Sequence, residues 1–297
     1  MALDFYDFLT HEKLIIFDGG TGTRLIELGL EPGSGNNLAN PELVQQVHKE
    51  YLEIGSQVIT TNTLTANRIY FQSQSEEKLN QLRKINEVGA RLAKDLARND
   101  AFVVGDLGPT GQLLEPYGTF TEEEFYKAYL EQARTLAECE VDGFLIETVY
   151  DLREALIAVQ ACKDAAPIPI LVTFSFHTVD KGGRTVMGNS VNDIVKALVA
   201  NGVTAFGANC GSLAPEEVAE IIKMMRVLTT HPLIAQPNAG KPVEKNGTNV
   251  YDLSPEEFHI GMEKCFDNGA SILGGCCGTT FRHIEQLKKF RDQKFRC

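Results

Sequence analysis

The stretch "GFLIETVYDLREALIAVQACKDAAPIPILVTFSF" (Gly143–Phe176) decides how this chain folds. A short apolar run ends in the polar pair Glu147-Thr148, an amphipathic segment follows, and a second apolar run, "PILVTFSF", closes it. Near-continuous Val/Ile/Leu/Phe runs are the mark of strands covered on both faces. Toward the N-terminus the same unit recurs three times. "FVVGDLGP" precedes "TEEEFYKAYLEQARTLAE", "QVITTNT" precedes "EEKLNQLRKINEVGARLAKDLA", and "LIIFDGG" precedes "PELVQQVHKEYLEIG". Toward the C-terminus "PILVTFSF" leads to "SVNDIVKALVANG" and "TAFGANC" to "PEEVAEIIKMMRVL". "PLIAQPN" then leads to "SPEEFHIGMEKCFDNG", and "SILGGCC" to "TFRHIEQLKKF". Thr121-x-x-Glu124 and Ser254-x-x-Glu257 read as capping boxes, and Pro215 and Pro255 suit a first helical position.

An open doubly wound sheet shows the same alternation. Eight units are the number for closure, no linker rich in Pro, Gly or Ser divides them, and 297 residues is not far above the typical length of about 250. The expected fold is a single α/β domain over residues 1–297, a (β/α)8 TIM barrel.

Composition narrows the function. With 28 Lys and Arg against 40 Asp and Glu, the formal charge is −12, which argues against a nucleic-acid surface. No apolar run approaches the roughly 18 residues that span a bilayer, and "MALDFYDFLTHEKL" lacks a signal pattern. Seven cysteines, an odd number scattered over the second half, fit a reducing cytoplasm better than a disulfide framework.

Barrel active sites lie at the C-terminal ends of the strands. Here those ends read Asp18, Thr61-Asn62-Thr63, Asp106, Glu147-Thr148, Ser175 with His177, Asn209-Cys210, Asn238, and Cys276-Cys277. Cys210 ends the sixth strand and Cys276-Cys277 the eighth, too far apart for a local zinc knuckle. In a closed barrel, however, these ends converge, and three thiolates with one open position describe a catalytic zinc site. Cys139, Cys162 and Cys265 fall in helical patterns as core residues, and Cys297 reads as a surface thiol at the terminus.

"FDGGTGT", "VITTNT", "GDLGPTG", "IETVYDLREA", "GANC", "QPNAGKP" and "GGCCGTT" together resemble the homocysteine S-methyltransferase family. The likeness runs from about Leu14 to Lys289 and is greatest to the homocysteine-binding module that opens cobalamin-dependent methionine synthases. It implies a (β/α)8 barrel with Zn2+ held by Cys210, Cys276 and Cys277, and homocysteine as the methyl acceptor. It also gives Asp18 and Glu147 the acceptor's ammonium.

A free thiol, with a pKa near 8.5, is mostly protonated at neutral pH, and binding to zinc removes that proton. The backbone N–H groups of Gly19 and Gly20, with the turn from Thr61 to Thr63, can hold the acceptor's carboxylate. Asn238 can take the fourth zinc position when the acceptor is absent, or tie down its loop. Asp18 can equally cap the glycine turn, and Glu147 can pair with an arginine such as Arg153.

"GGTGTR" lacks the spacing of a phosphate loop, and no strand end carries the lysine of an aldolase-like lyase. A zinc-stabilised binding module without catalysis is the remaining alternative, and it would not need the polar ring of Asp18, Glu147 and Asn238. The chain ends soon after the eighth unit, so folate and cobalamin modules are expected to be absent. The expected donor is therefore a methylcorrinoid carried by a separate protein, with S-methylmethionine, S-adenosylmethionine or betaine as alternatives.

Overall fold

Eight parallel strands alternate with helices along the chain. They are β1 (Ile15–Ile16), β2 (Val58–Thr60), β3 (Phe102–Leu107), β4 (Gly143–Val149), β5 (Ile170–Phe174), β6 (Ala205–Asn209), β7 (Leu233–Gln236) and β8 (Ile272–Leu273). The structure, a computed structural model, describes residues 4–74, 76–245 and 248–295, so Cys297 lies outside the described residues. Each strand pairs with the next in sequence from β2 to β8, and β8 pairs with β1. A bridge between Phe17 and Val58 completes the ring. The fold is the expected (β/α)8 barrel.

The strand registers fix what points inward. Phe17 lies beside Val58, Val104 beside Gly143, Leu145 beside Leu171, Gly207 beside Ile234, and Ile272 beside Ile15. This stagger makes alternate strands fill alternate layers. Phe17, Val104, Leu171 and Ile234 form one apolar layer, and all four are buried together in the barrel core. The layer above receives Thr60 and Leu145, where β6 and β8 offer only Gly207 and Gly274. One step higher stand Asp106, Thr173 and Gln236, and above them Glu147, Asn209 and Cys276. The interior thus changes from apolar to polar halfway up.

The helices start where their chemistry says they should. Both expected capping boxes form, and Pro215 and Pro255 occupy the first helical turn. The run from Glu76 differs from expectation. It is two helices, Glu76–Asn80, in which no side chain is fully buried, and Leu82–Ala97. An unexpected helix, Phe5–His11, closes the bottom of the barrel by burying Phe5, Phe8 and Leu9. Two small hairpins decorate the top: Phe176–Thr178 with Arg184–Thr185 after β5, and Val243–Lys245 with Thr248–Val250 after β7. Cys162 and Cys265 are buried in helices, and Cys139 is a half-buried helix C-cap. Among the described residues no helix is long and apolar enough to cross a membrane.

Candidate active site

The double-cysteine segment looks flexible in sequence and is pinned in the structure. Cys276 N–H donates to Pro237 O at 3.0 Å, and Cys276 O accepts from the Thr279 hydroxyl at 2.6 Å. Cys277 N–H donates to Asn238 Oδ1 at 3.1 Å, and Cys277 O accepts from Ala239 N–H at 2.9 Å. Gly278 N–H is taken by the Thr23 hydroxyl at 2.8 Å. The glycines serve close approach. A side chain at Gly275 would meet Thr279 Oγ1 at 2.4 Å, and Gly278 turns the chain at φ +77° against Tyr251. At the end of β6, Cys210 adopts φ +51°, a left-handed backbone unusual for a side-chain-bearing residue, so the chain turns there toward Gly211.

This scaffold brings the three thiols together. Their sulfurs lie within 4.8 Å of one another, with Cys210 Sγ and Cys277 Sγ at 3.9 Å. They could hold a metal ion. Hydrogen bonds from Cys210 and then Cys276 hold the Cys277 thiol far below its ordinary range. Cys276 is correspondingly raised by its bonds to Cys210 and Cys277. Cys210, although a bond with Cys276 pulls it down, is pushed up to about 12 by its bond to Cys277 and by burial.

Facing the sulfurs are carboxylates. Burial raises Asp18 to about 7, against the opposing pull of the Thr60 N–H at 2.7 Å and the Thr60 hydroxyl at 3.0 Å, both on Asp18 Oδ2. Glu147 is raised to about 8, first by burial and then by the charges of Asp18 and Cys277. Among the described residues no arginine pairs with it, and Arg153 binds Glu122 and the Glu115 carbonyl instead. Asn209 is the hub between the groups. Its Nδ2 reaches Thr148 Oγ1 at 2.8 Å, Glu147 Oε2 at 3.2 Å and Cys276 Sγ at 3.9 Å, while its Oδ1 accepts from Thr148 N–H at 3.0 Å.

Other strand-end groups are engaged within the protein. The Thr61 hydroxyl is one. It accepts from Asp106 N–H and contacts the Thr63 hydroxyl at 2.6 Å, and Thr63 in turn donates to Asp106 O. These bonds tie β2 to β3. The Gly20 N–H is also spent, on Thr279 Oγ1 at 2.9 Å, so of the two glycines only Gly19 keeps an N–H with no acceptor among the described residues. Asn238 is a tie: Oδ1 accepts from Cys277 N–H and Nδ2 donates to Gly211 O, so its amide joins the two cysteine loops. His177 is exposed, in a hairpin strand. Asn209 was visible as a strand-end residue without a role. Tyr251, on the loop after β7, lies against Gly278 and helps to hold the Cys277 thiol low; it carried no sequence signal.

Comparison with known proteins gives two findings. The sequence profile described as homocysteine S-methyltransferase matches residues 15–291. Among solved structures, the homocysteine methyltransferase MmuM from Escherichia coli is similar in its metallated form, with a TM-score of 0.78 and 22% identity over 95% of this chain and 98% of that one. Its apo form gives 0.75 and 21% over 94% and 96%. A dihydrodipicolinate synthase from Oceanobacillus iheyensis follows at 0.52 and 11%, over 98% and 78%.

Proposed function

The chain belongs to the homocysteine S-methyltransferase family, and on that premise we propose that it methylates the thiol of homocysteine at a zinc ion held by Cys210, Cys276 and Cys277. The observation that carries this reading is the trio of sulfurs converging at the strand ends. Their spacing suits the ion. Two thiolates at about 2.3 Å from a tetrahedral zinc stand about 3.8 Å apart, and Cys210 and Cys277 are at 3.9 Å. An all-thiolate donor set also selects a soft ion. Bound there, zinc supplies ionisation of the acceptor thiol at neutral pH while leaving its sulfur nucleophilic.

The chain's own residues do the rest. Glu147, held by Asn209, and Asp18, held by Thr60, accept hydrogen bonds from the acceptor's ammonium. Gly19 N–H is the backbone donor left for its carboxylate. Asn238 fixes the distance between the two cysteine loops.

For the donor, the resemblance of "GANC" and "GGCCGTT" to the cobalamin-dependent branch supports a methylcorrinoid on a partner protein. Exposed Tyr117, Val186, Met187 and Val243, on loops above β3, β5 and β7, support a large donor that covers the mouth. A second reading has its own observation: the carboxylates and thiolates gathered at the mouth favour a small cationic donor, a sulfonium or quaternary ammonium.

Replacing Cys210 by Ala should strip zinc and abolish methylation while leaving the helical circular-dichroism signal intact. Full zinc retention in that variant would overturn the assignment. Wild-type protein with zinc and homocysteine, given methylcobalamin, S-methylmethionine, S-adenosylmethionine or betaine in parallel, identifies the donor class.

A further inference from the structure

The layer beneath Glu147, Asn209 and Cys276 holds buried polar groups that nothing in the protein answers. Asp106, Thr173 and Gln236 are 4%, 0% and 2% exposed. Asp106 Oδ1, Thr173 Oγ1 and Gln236 Oε1 have no hydrogen-bond partner among the described residues. Each lies two residues beyond Val104, Leu171 or Ile234, which are buried in the barrel core, so all three share that face and point to the axis. Contact confirms part of the arrangement: a side chain at Gly274, one step below, would meet Gln236 Cγ at 3.2 Å. Buried polar atoms in native proteins nearly always find partners. Three orphans on one level of one barrel therefore mark a place shaped for a guest.

The chemistry of the guest follows from the atoms. An ionised Asp106 and the Gln236 carbonyl only accept, and a threonine hydroxyl does either. Burial raises the Asp106 carboxyl, and the charges of Glu147 and then Asp18 raise it further, so all three carboxyls share one region. Among the described residues no lysine or arginine forms an ion pair with any of them. What fits is a group with positive charge and several N–H donors.

We propose that Asp106 is a further substrate-recognition residue, whose carboxylate takes one N–H of the acceptor's α-ammonium while Gln236 Oε1 lies beside it as an acceptor. The ammonium carries three N–H groups, and Asp18, Glu147 and Asp106 provide an acceptor for each. The amino end of the acceptor then sits one layer below its sulfur, on the barrel axis. This rests on homocysteine as the acceptor.

Calorimetric titration of the zinc-loaded protein with homocysteine and with 4-sulfanylbutanoate, which lacks only the amine, tests it. Wild type should bind homocysteine more tightly, and Asp106→Asn should shrink that preference about 10- to 100-fold, the range of a charge-assisted hydrogen bond. Zinc content should be unchanged and the thermal midpoint equal or higher, because an unpartnered buried carboxylate is removed. Gln236→Met should shrink the preference in the same direction and serves if Asp106→Asn does not fold. An unchanged preference in the variants, or equal loss for both ligands, overturns the role of Asp106 and leaves homocysteine as acceptor standing. No homocysteine binding by wild type would instead overturn the acceptor itself, and this inference with it.

Discussion

At the scale of single residues, the decisive side chain is one that binds neither metal nor acceptor in the scheme above. Thr148 is β-branched yet holds φ +61°, a conformation such residues avoid. Asn209, 1% exposed, makes that turn possible by accepting from the Thr148 N–H and donating to its hydroxyl. The Thr148 N–H needs an oxygen, so it fixes which way the amide points and aims Nδ2 at Glu147. Replacing Asn209 by Ala orphans the Thr148 N–H and takes a donor from the Thr148 hydroxyl and Glu147, and should cost about 1–3 kcal/mol in urea denaturation. Homocysteine affinity should fall as well, because Glu147 loses its guide. Asn209→Asp keeps the bond from Thr148 N–H but sets a carboxylate against Glu147, so it should recover stability ahead of affinity. If Asn209→Ala lowered stability and left the dissociation constant unchanged, Asn209 would serve the turn alone.

At the scale of elements, much was legible because the barrel repeats one simple unit. Apolar strands, capping boxes at Thr121 and Ser254, and prolines at helix starts are local signals, and the structure keeps them. The cysteine cluster was legible because thiols at two strand ends have no other reason to meet. That the Thr61 hydroxyl and the Gly20 N–H are engaged was not legible, because a sequence shows which donors and acceptors exist, not which a neighbouring strand or loop already satisfies. The helix Phe5–His11 escaped because three apolar positions in seven residues define no period, and its partner surface exists only once the barrel closes. Phe5 stacks at 4.8 Å from Phe102, and Gly143 leaves room for it, since a side chain there would meet the Phe5 ring at 2.7 Å. Phe5→Ala should therefore cost about 3–5 kcal/mol. The helix closes the end of the barrel opposite the cysteines, so zinc content and homocysteine affinity should stay at wild-type values. A matching loss of zinc would mean that the two ends of the barrel are coupled.

At the scale of the whole molecule, the mouth of the barrel is a store of buried acid, and its cost should be visible in the pH dependence of stability. Asp18 moves from 3.8 to about 7 on folding, and Glu147 from 4.5 to about 8. Between those values the folded state keeps protons that the unfolded state has released, so stability falls as pH rises. His48 acts in the opposite sense. Burial lowers it from 6.5 to about 4, which makes stability rise over that interval and then level off. Surface acids held low by partners, such as Glu50 beside Arg24, contribute only below its ordinary value of 4.5. Above pH 6.5 His48 is level, and the mouth holds opposing groups: Asp18 and Glu147 lower stability as pH rises, while the Cys277 thiol, held far below its ordinary value of 9.0, raises it. Zinc-free Cys277→Ser protein lacks the opposing thiol, so its urea midpoint should decline from pH 6.5 to 8, and adding Asp18→Asn should flatten the decline. Homocysteine with zinc should stabilise the protein more at pH 8 than at pH 6.5, since an ammonium favours the ionised carboxylates that burial penalises. A midpoint that stayed level from 6.5 to 8 in zinc-free Cys277→Ser protein, with and without Asp18→Asn, would mean that the mouth carries no such strain and that its carboxylates are not waiting for a cation.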